Sequence, residues 1–166
     1  STGLISSTNL IVDADGSATL NGNNVVDRLA ADVGDDLAFN NTTGLLITEL
    51  TCGATTVTGL NVGGDAELTL VGQAITNDQA ISVTDKLEIQ SDSIDFAANA
   101  SATDMLLVTT ADIDQSAGAI TAANFIVDAG GSATLNGNNI VDRLAADVGV
   151  DLAFNNTIDL LITELT

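Results

Sequence analysis

Apolar and polar residues alternate along this chain in short runs. Leu10–Val12, Ala18–Leu20, Leu37–Phe39, Leu60–Val62, Leu68–Leu70, Ile81–Val83, Leu87–Ile89, Ile94–Phe96 and Phe125–Val127 each place apolar residues two apart. That is the period of a strand with one buried face. Val57, Leu107 and Ile113 sit in shorter stretches of the same kind. Turn clusters separate the runs, among them Asp15-Gly16-Ser17, Asn21-Gly22-Asn23-Asn24, Gly34-Asp35-Asp36, Asn40-Asn41-Thr42, Gly63-Gly64-Asp65 and Gly130-Gly131-Ser132. One segment competes with this pattern. Val25, Leu29, Val33 and Leu37 are four apart, and Asn24 and Gly34 could cap and close a short helix. So short a helix is marginal without strong packing, and the alternation Ala31, Val33 runs on into Leu37 and Phe39. Strand–turn–strand is the expectation there.

The same string is written twice. Asn9–Thr51 recurs as Asn124–Thr166, 115 positions on, with 37 of 43 positions identical. The differing pairs are Leu10/Phe125, Asp15/Gly130, Val25/Ile140, Asp35/Val150, Thr43/Ile158 and Gly44/Asp159. A weaker match extends back to Ser1 and Ser116 through Gly3/Gly118 and Ile5/Ile120. Near-identity at a fixed offset marks a tandem array. Residues 1–115 are read as one full period and 116–166 as the start of the next, in a continuous rod without separate globular domains and expected to be a piece of a longer one.

Many short strands also suit an antiparallel sandwich. A sandwich does not repeat a long segment nearly verbatim, however, and it normally carries large core aromatics, whereas this chain has four Phe and no Trp or Tyr. A β-solenoid accounts for both features. Each coil lays its strands over those of the coil below, in parallel, around a narrow core of Val, Leu, Ile and Ala. Asn and Thr stacked at the corners can then hydrogen-bond from coil to coil. Coils of about 20 residues put five or six in each period, and at ~4.8 Å per coil a period advances roughly 25–30 Å.

Charge narrows the partners. The formal net charge is −20, with Arg28, Lys86 and Arg143 the only basic residues. Nucleic acid and anionic membrane surfaces need clustered cations and are excluded. No stretch is apolar enough to insert in a membrane. The acidity keeps neighbouring surfaces apart. Cys52 is the only cysteine, so no intrachain disulfide forms, and it is expected to be a small buried hydrophobe.

Catalytic chemistry has little to stand on. Without His or Tyr, and with one Cys, no triad or soft metal cage can be assembled. Asp27-Arg28 and Asp142-Arg143 offer one charge pair per repeat and are expected to be surface ion pairs. Asp13 and Asp15 open like a calcium loop, D-x-D-G, but no bidentate Glu follows, and the second copy reads Asp128-Ala129-Gly130-Gly131. They are the metal candidates, for weakly bound Ca2+ only; no other cofactor and no catalytic residue is expected. Asn40, Asn41, Asn99 and Asn155 begin N-x-[ST] acceptor patterns, which an Asn- and Thr-rich chain produces by chance.

The pieces Val127-Asp128-Ala129-Gly130-Gly131 with Ala133-Thr134-Leu135, then Leu144 to Phe154, then Leu160 to Ile162 resemble the repeats of large secreted bacterial proteins of the filamentous haemagglutinin type. The linking stretch Ala74–Phe96 is similar family material. The resemblance implies a right-handed parallel β-helix outside the cell or at its surface, serving as the non-catalytic shaft of a fibre or adhesin. It carries over no catalytic or ligand-binding residue. The partners expected are neighbouring repeats of the same chain and, in a filament, other copies; a host or cell-surface ligand is left open. A self-assembling sheath, surface-layer or matrix filament is the alternative. A carbohydrate-binding or carbohydrate-cleaving β-helix is a third, and it would need a groove of aromatics and cations.

Overall fold

The computed structural model describes residues 3–164. Ser1, Thr2, Leu165 and Thr166, at the outer limits of the two repeats, lie outside the described residues. Strands β1 (Ser6–Ala14), β2 (Ala18–Val33) and β3 (Leu37–Asn41) come first, then β4 (Leu45–Ile47), β5 (Glu49–Cys52), β6 (Thr55–Thr58) and β7 (Leu60–Val62). The middle turns hold β8 (Ala66–Leu70), β9 (Ala74–Asn77), β10 (Ile81–Val83), β11 (Lys86–Ser91) and β12 (Ser93–Phe96). The last are β13 (Ala100–Thr109), β14 (Ile113–Gln115), β15 (Ile120–Ala129), β16 (Ala133–Val148), β17 (Leu152–Asn156) and β18 (Leu161–Ile162).

Sixteen strands join in one sheet that winds on itself, pairing in parallel coil upon coil. The result is an all-β parallel β-solenoid of about eight turns. No helix forms among the described residues, and the segment with helical spacing lies inside β2. Strand wins there because each coil edge offers unpaired N–H and C=O groups that an extended neighbour satisfies along its whole length.

The core follows from register. On one face Leu20, Phe39, Leu68, Ile89, Leu107, Val127 and Ala146 stand in a single column. Beside it run Ala18, Leu37, Ala66, Leu87, Met105, Phe125 and Leu144. A second face stacks Leu45, Ile75, Ile94, Ile113 and Ala133, and a third stacks Ala31, Leu60, Ile81, Ala100 and Ile120. Branched aliphatic residues stack on one another along these columns, with alanines interleaved at Ala18, Ala66, Ala100 and Ala133, and together they fill the narrow interior. One apolar cluster therefore runs the length of the described rod, from Ile5 to Leu160.

Most partners in adjacent coils are 18 to 21 residues apart, as in Arg28↔Leu46 and Leu60↔Ile81. Leu37↔Ala66 is wider, at 29 residues. The extra length is β5 and β6, an antiparallel hairpin set outside the ladder. The expectation that every strand pairs in parallel fails here. Cys52 pairs with Thr55 across a two-residue turn, and Gly53 supplies φ +63° at its first position. Only a glycine takes that conformation without strain.

The repeat does not close on a whole number of turns. The column through Leu37 reaches Leu144 after five coils, whereas the repeat partner of Leu37 is Leu152, on the next face. A 115-residue period is five turns and one face of a three-faced coil.

Candidate functional site

Polar chemistry in this rod is concentrated at its corners. Asn24 is fully buried; its Oδ1 accepts from Ile5 N–H (3.0 Å), and its Nδ2 donates to Leu20 O (2.8 Å) and Asn40 O (2.9 Å). In the next coil Asn41 Oδ1 accepts from Val26 N–H (2.9 Å), while its Nδ2 donates to Val26 O and Thr43 O, each at 2.8 Å. The second repeat rebuilds this corner: Asn139 takes Ile120 N–H (2.8 Å) and donates to Leu135 O and Asn155 O (both 3.0 Å). Asn156 then takes Val141 N–H (2.9 Å). These amides supply the donors and acceptors that a turning backbone leaves unpaired. Asn77 departs from the pattern: its Nδ2 donates to Gln79 O (2.9 Å), but its buried Oδ1 has no partner.

Carboxylates form an outer counterpart. Asp36 Oδ1 accepts from Asp65 N–H (3.0 Å), and Asp65 Oδ1 accepts from Lys86 N–H one coil further (3.0 Å). Asp112 Oδ1 holds Ser132 N–H (2.7 Å), and Asp95 Oδ1 holds Ser116 N–H (3.2 Å). Four of the 23 acidic residues thus cap turns from one coil to the next. Glycine is required where the turns stack: a Cβ on Gly34 would lie 2.1 Å from Asp15 O, and one on Gly63 would lie 2.1 Å from Gly34 O.

Asp13 and Asp15 are both exposed, at the end of β1 and in the turn after it. Among the described residues no three His, Cys, Asp or Glu side chains come close enough together to hold a metal. Asp27-Arg28 and Asp142-Arg143 do not form the expected ion pairs. All four side chains are exposed, and water screens neighbours that gain nothing by fixing their rotamers. The ion pair present among the described residues is Lys86–Glu88. The hydrogen bond from Lys86 holds the Glu88 carboxyl below the usual carboxylate range, and the same bond raises Lys86.

Cys52 is exposed, against the expectation of burial, because it abuts the hairpin turn beyond the reach of the core. Of the N-x-[ST] asparagines, Asn41 is buried with its amide committed to Val26 O and Thr43 O, whereas Asn99 and Asn155 are exposed. Phe39, Phe96 and Phe125 are buried, and Phe154 packs 6.2 Å from Phe125 across the interior, so no described aromatic forms an open platform. No helix among the described residues is long and apolar enough to cross a membrane, which says nothing of strands.

The hairpin is the outer feature that alternation alone missed. Leu50 and Val57 fold back onto Ala30 of β2, with Ile11 of β1 beside it, making a small cluster outside the coil. Its signal in the sequence was Cys52-Gly53-Ala54-Thr55, a Gly-led two-residue turn between Thr-rich arms. A surface groove of about 480 Å³ spans the boundary of the two repeats, past Lys86, Leu106, Ile126, Arg143 and Glu164.

Compared with known proteins, the chain matches no family model, no curated protein and no solved structure. What the fold and its corners define is a class, the parallel β-solenoid, with coil-to-coil polar ladders.

Proposed function

We propose that this chain is a structural repeat, the stiff shaft of a large extracellular fibre or adhesin of the filamentous haemagglutinin type. The observation that carries the reading is one parallel sheet wound coil upon coil around a single apolar cluster that runs the length of the described rod. The near-identical segments of the two repeats fold into the same strands, Leu37–Asn41 and Leu152–Asn156, at two heights of that stack.

The mechanism is mechanical. Bending such a rod compresses the ladder hydrogen bonds and the aliphatic columns together, and local unfolding exposes two coil edges. The exterior, with a net charge of −20 for the chain, disperses neighbouring rods. Secretion to the cell surface, attachment to a host or surface ligand, and the absence of enzymatic activity belong to this proposal.

Electron microscopy of the undissociated native material tests it. The expected result is single rods ~20–30 Å across, since each face of about five residues spans ~17 Å before side chains are added. Filaments of several solenoids packed around one axis would replace the shaft reading with a self-assembling sheath. Compact particles would refute both.

A further inference from the structure

The hairpin of β5 and β6 leaves the rod from a corner that is already closed. Thr48 N–H donates to Leu29 O (3.1 Å) in the coil below, and Gly59 O accepts from Ala31 N–H (2.9 Å) of that same coil. Towards the coil above, Leu60 N–H donates to Ala80 O (3.0 Å). Across the root of the excursion, Gly59 N–H donates to Thr48 O (3.0 Å). The corner is thus hydrogen-bonded below, above and across the gap, with Glu49–Thr58 outside it. The side-chain bonds of the excursion are its own: Thr51 Oγ1 with Thr56 Oγ1 (2.8 Å), and Thr58 Oγ1 to the Glu49 carboxylate (3.0 Å). Leu50 and Val57 seat it on Ala30, beside Ile11.

The amide of Asn77, in the coil above, marks what the excursion displaced. The corner ladder follows one rule in both repeats. Asn41 lies over Asn24 and accepts from Val26 N–H, two residues past Asn24. Asn156 lies over Asn139 and accepts from Val141 N–H, two residues past Asn139. Asn77 lies over Ile47, and two residues past Ile47 is Glu49, the first residue of the hairpin. The hairpin carries that N–H out of the coil, and Oδ1 of Asn77, a residue 2% exposed, has no partner. Its Nδ2 donates to Gln79 O (2.9 Å), so turning the amide over would set oxygen against oxygen.

We propose that Glu49–Thr58 is a side arm set into a coil that is complete without it, able to leave its seat on Ala30 while the rod stays shut. Coil length agrees. Without the arm the step from Leu37 to Ala66 falls from 29 residues to 19, within the 18 to 21 of the neighbouring coils. Reach agrees as well, because a carbonyl hydrogen-bonded to an N–H is bridged by one intervening residue in a γ-turn. One residue in place of the arm leaves three between Ile47 and Leu60, as there are between Asn77 and Ile81 and between Phe96 and Ala100. The inference rests on the fold alone, so it stands or falls separately from the shaft reading.

The test replaces Glu49–Thr58 by a single glycine in the whole chain and adds Asn77→Ala both to that variant and to the parent. The shortened chain should keep its β-sheet circular dichroism and its cooperative urea unfolding, and Asn77 should gain the N–H of the added glycine as its donor. Asn77→Ala should then raise the unfolding equilibrium constant roughly fivefold more in the shortened chain than in the parent, the worth of one hydrogen bond. Loss of the sheet signal or of cooperative unfolding in the shortened chain would show that the coil needs the arm. Equal effects of Asn77→Ala in the two chains would show that no ladder bond had been displaced. Either overturns the inference. Hydrogen exchange of the parent chain reads the arm itself: the amides of β5 and β6 should exchange by an opening that leaves those of Ala31 and Leu60 protected. Exchange of all of them through one common opening would overturn the inference too.

Discussion

Asn24→Ala is the sharpest probe of what holds the coils in register. The Asn24 side chain is fully buried and serves three backbone groups from different coils, Ile5 N–H, Leu20 O and Asn40 O, at 3.0, 2.8 and 2.9 Å. Alanine leaves all three half-buried and without that partner. At about 1 kcal/mol net per hydrogen bond, and more where the orphaned group stays dry, the loss is about 3 kcal/mol. Asn40 is the control: its amide makes one long bond, 3.3 Å, to Asn21 O at the surface. Asn40→Ala should stay within about 0.5 kcal/mol of the parent. Asn24→Asp keeps an acceptor for Ile5 N–H but turns a carboxylate onto two carbonyls, so it should be no milder than alanine. Urea unfolding followed by far-ultraviolet circular dichroism reads each value from the midpoint, provided the slope is unchanged. A loss below about 1 kcal/mol for Asn24→Ala, or one matching Asn40→Ala, would refute the corner-ladder account.

Other outcomes follow from particular contacts. Gly63→Ala, whose Cβ would meet the Gly34 carbonyl at 2.1 Å, should cost more than about 2 kcal/mol, whereas Gly44→Ala, nearest atom 3.7 Å away, should be close to neutral; thermal unfolding of the pair checks this. Leu68→Ala removes a fully buried side chain between Phe39 and Ile89 and should cost 2 to 5 kcal/mol or about that in chemical unfolding, with only the low end expected if the coils collapse onto the gap. Cys52 should react with a maleimide under native conditions as fast as a small free thiol; slow labelling that speeds up on unfolding would contradict its place at the hairpin tip. Lys86→Met should change stability at neutral pH by well under about 1 kcal/mol, because the Lys86 side chain is 44% exposed and screened. Glu88 titrates lower when folded, so its contribution is present above its unfolded value of 4.5 and fades as pH falls through the folded one. The variant should flatten that acid limb, and an unchanged acid limb would show that the pair contributes nothing.

The amino-acid sequence determined the strands and the class of fold. Two-residue alternation at Leu37–Phe39, Leu60–Val62 or Leu87–Ile89 is a local property, and it survives because every coil buries the same side of its strand. The near-verbatim repeat, with the lack of large core aromatics, disfavoured a sandwich, since a stack can use one segment at two heights. The corner asparagines were also legible as ladder residues, from their place in turn clusters between apolar runs. The scarcity of basic residues, three against 23 acidic ones, is what argued against nucleic acid as a partner.

Tertiary structure decided the rest, because each remaining fact depends on what lies one coil away. Whether Asn24 is a surface turn residue or a buried three-way bridge depends on where Ile5 and Asn40 arrive. Cys52 and Val57 share a strand-like stretch, yet the chain takes both outside the coil, since Gly53 turns it back before the next face. Asp27-Arg28 was expected to be a surface ion pair, but the exposed side chains do not meet. The phase of the repeat is likewise invisible in a count of 115 residues: ten residues of hairpin lengthen one coil, and the remainder is not a whole turn. A periodic sequence fixes what recurs, but coil length fixes where on the rod it recurs.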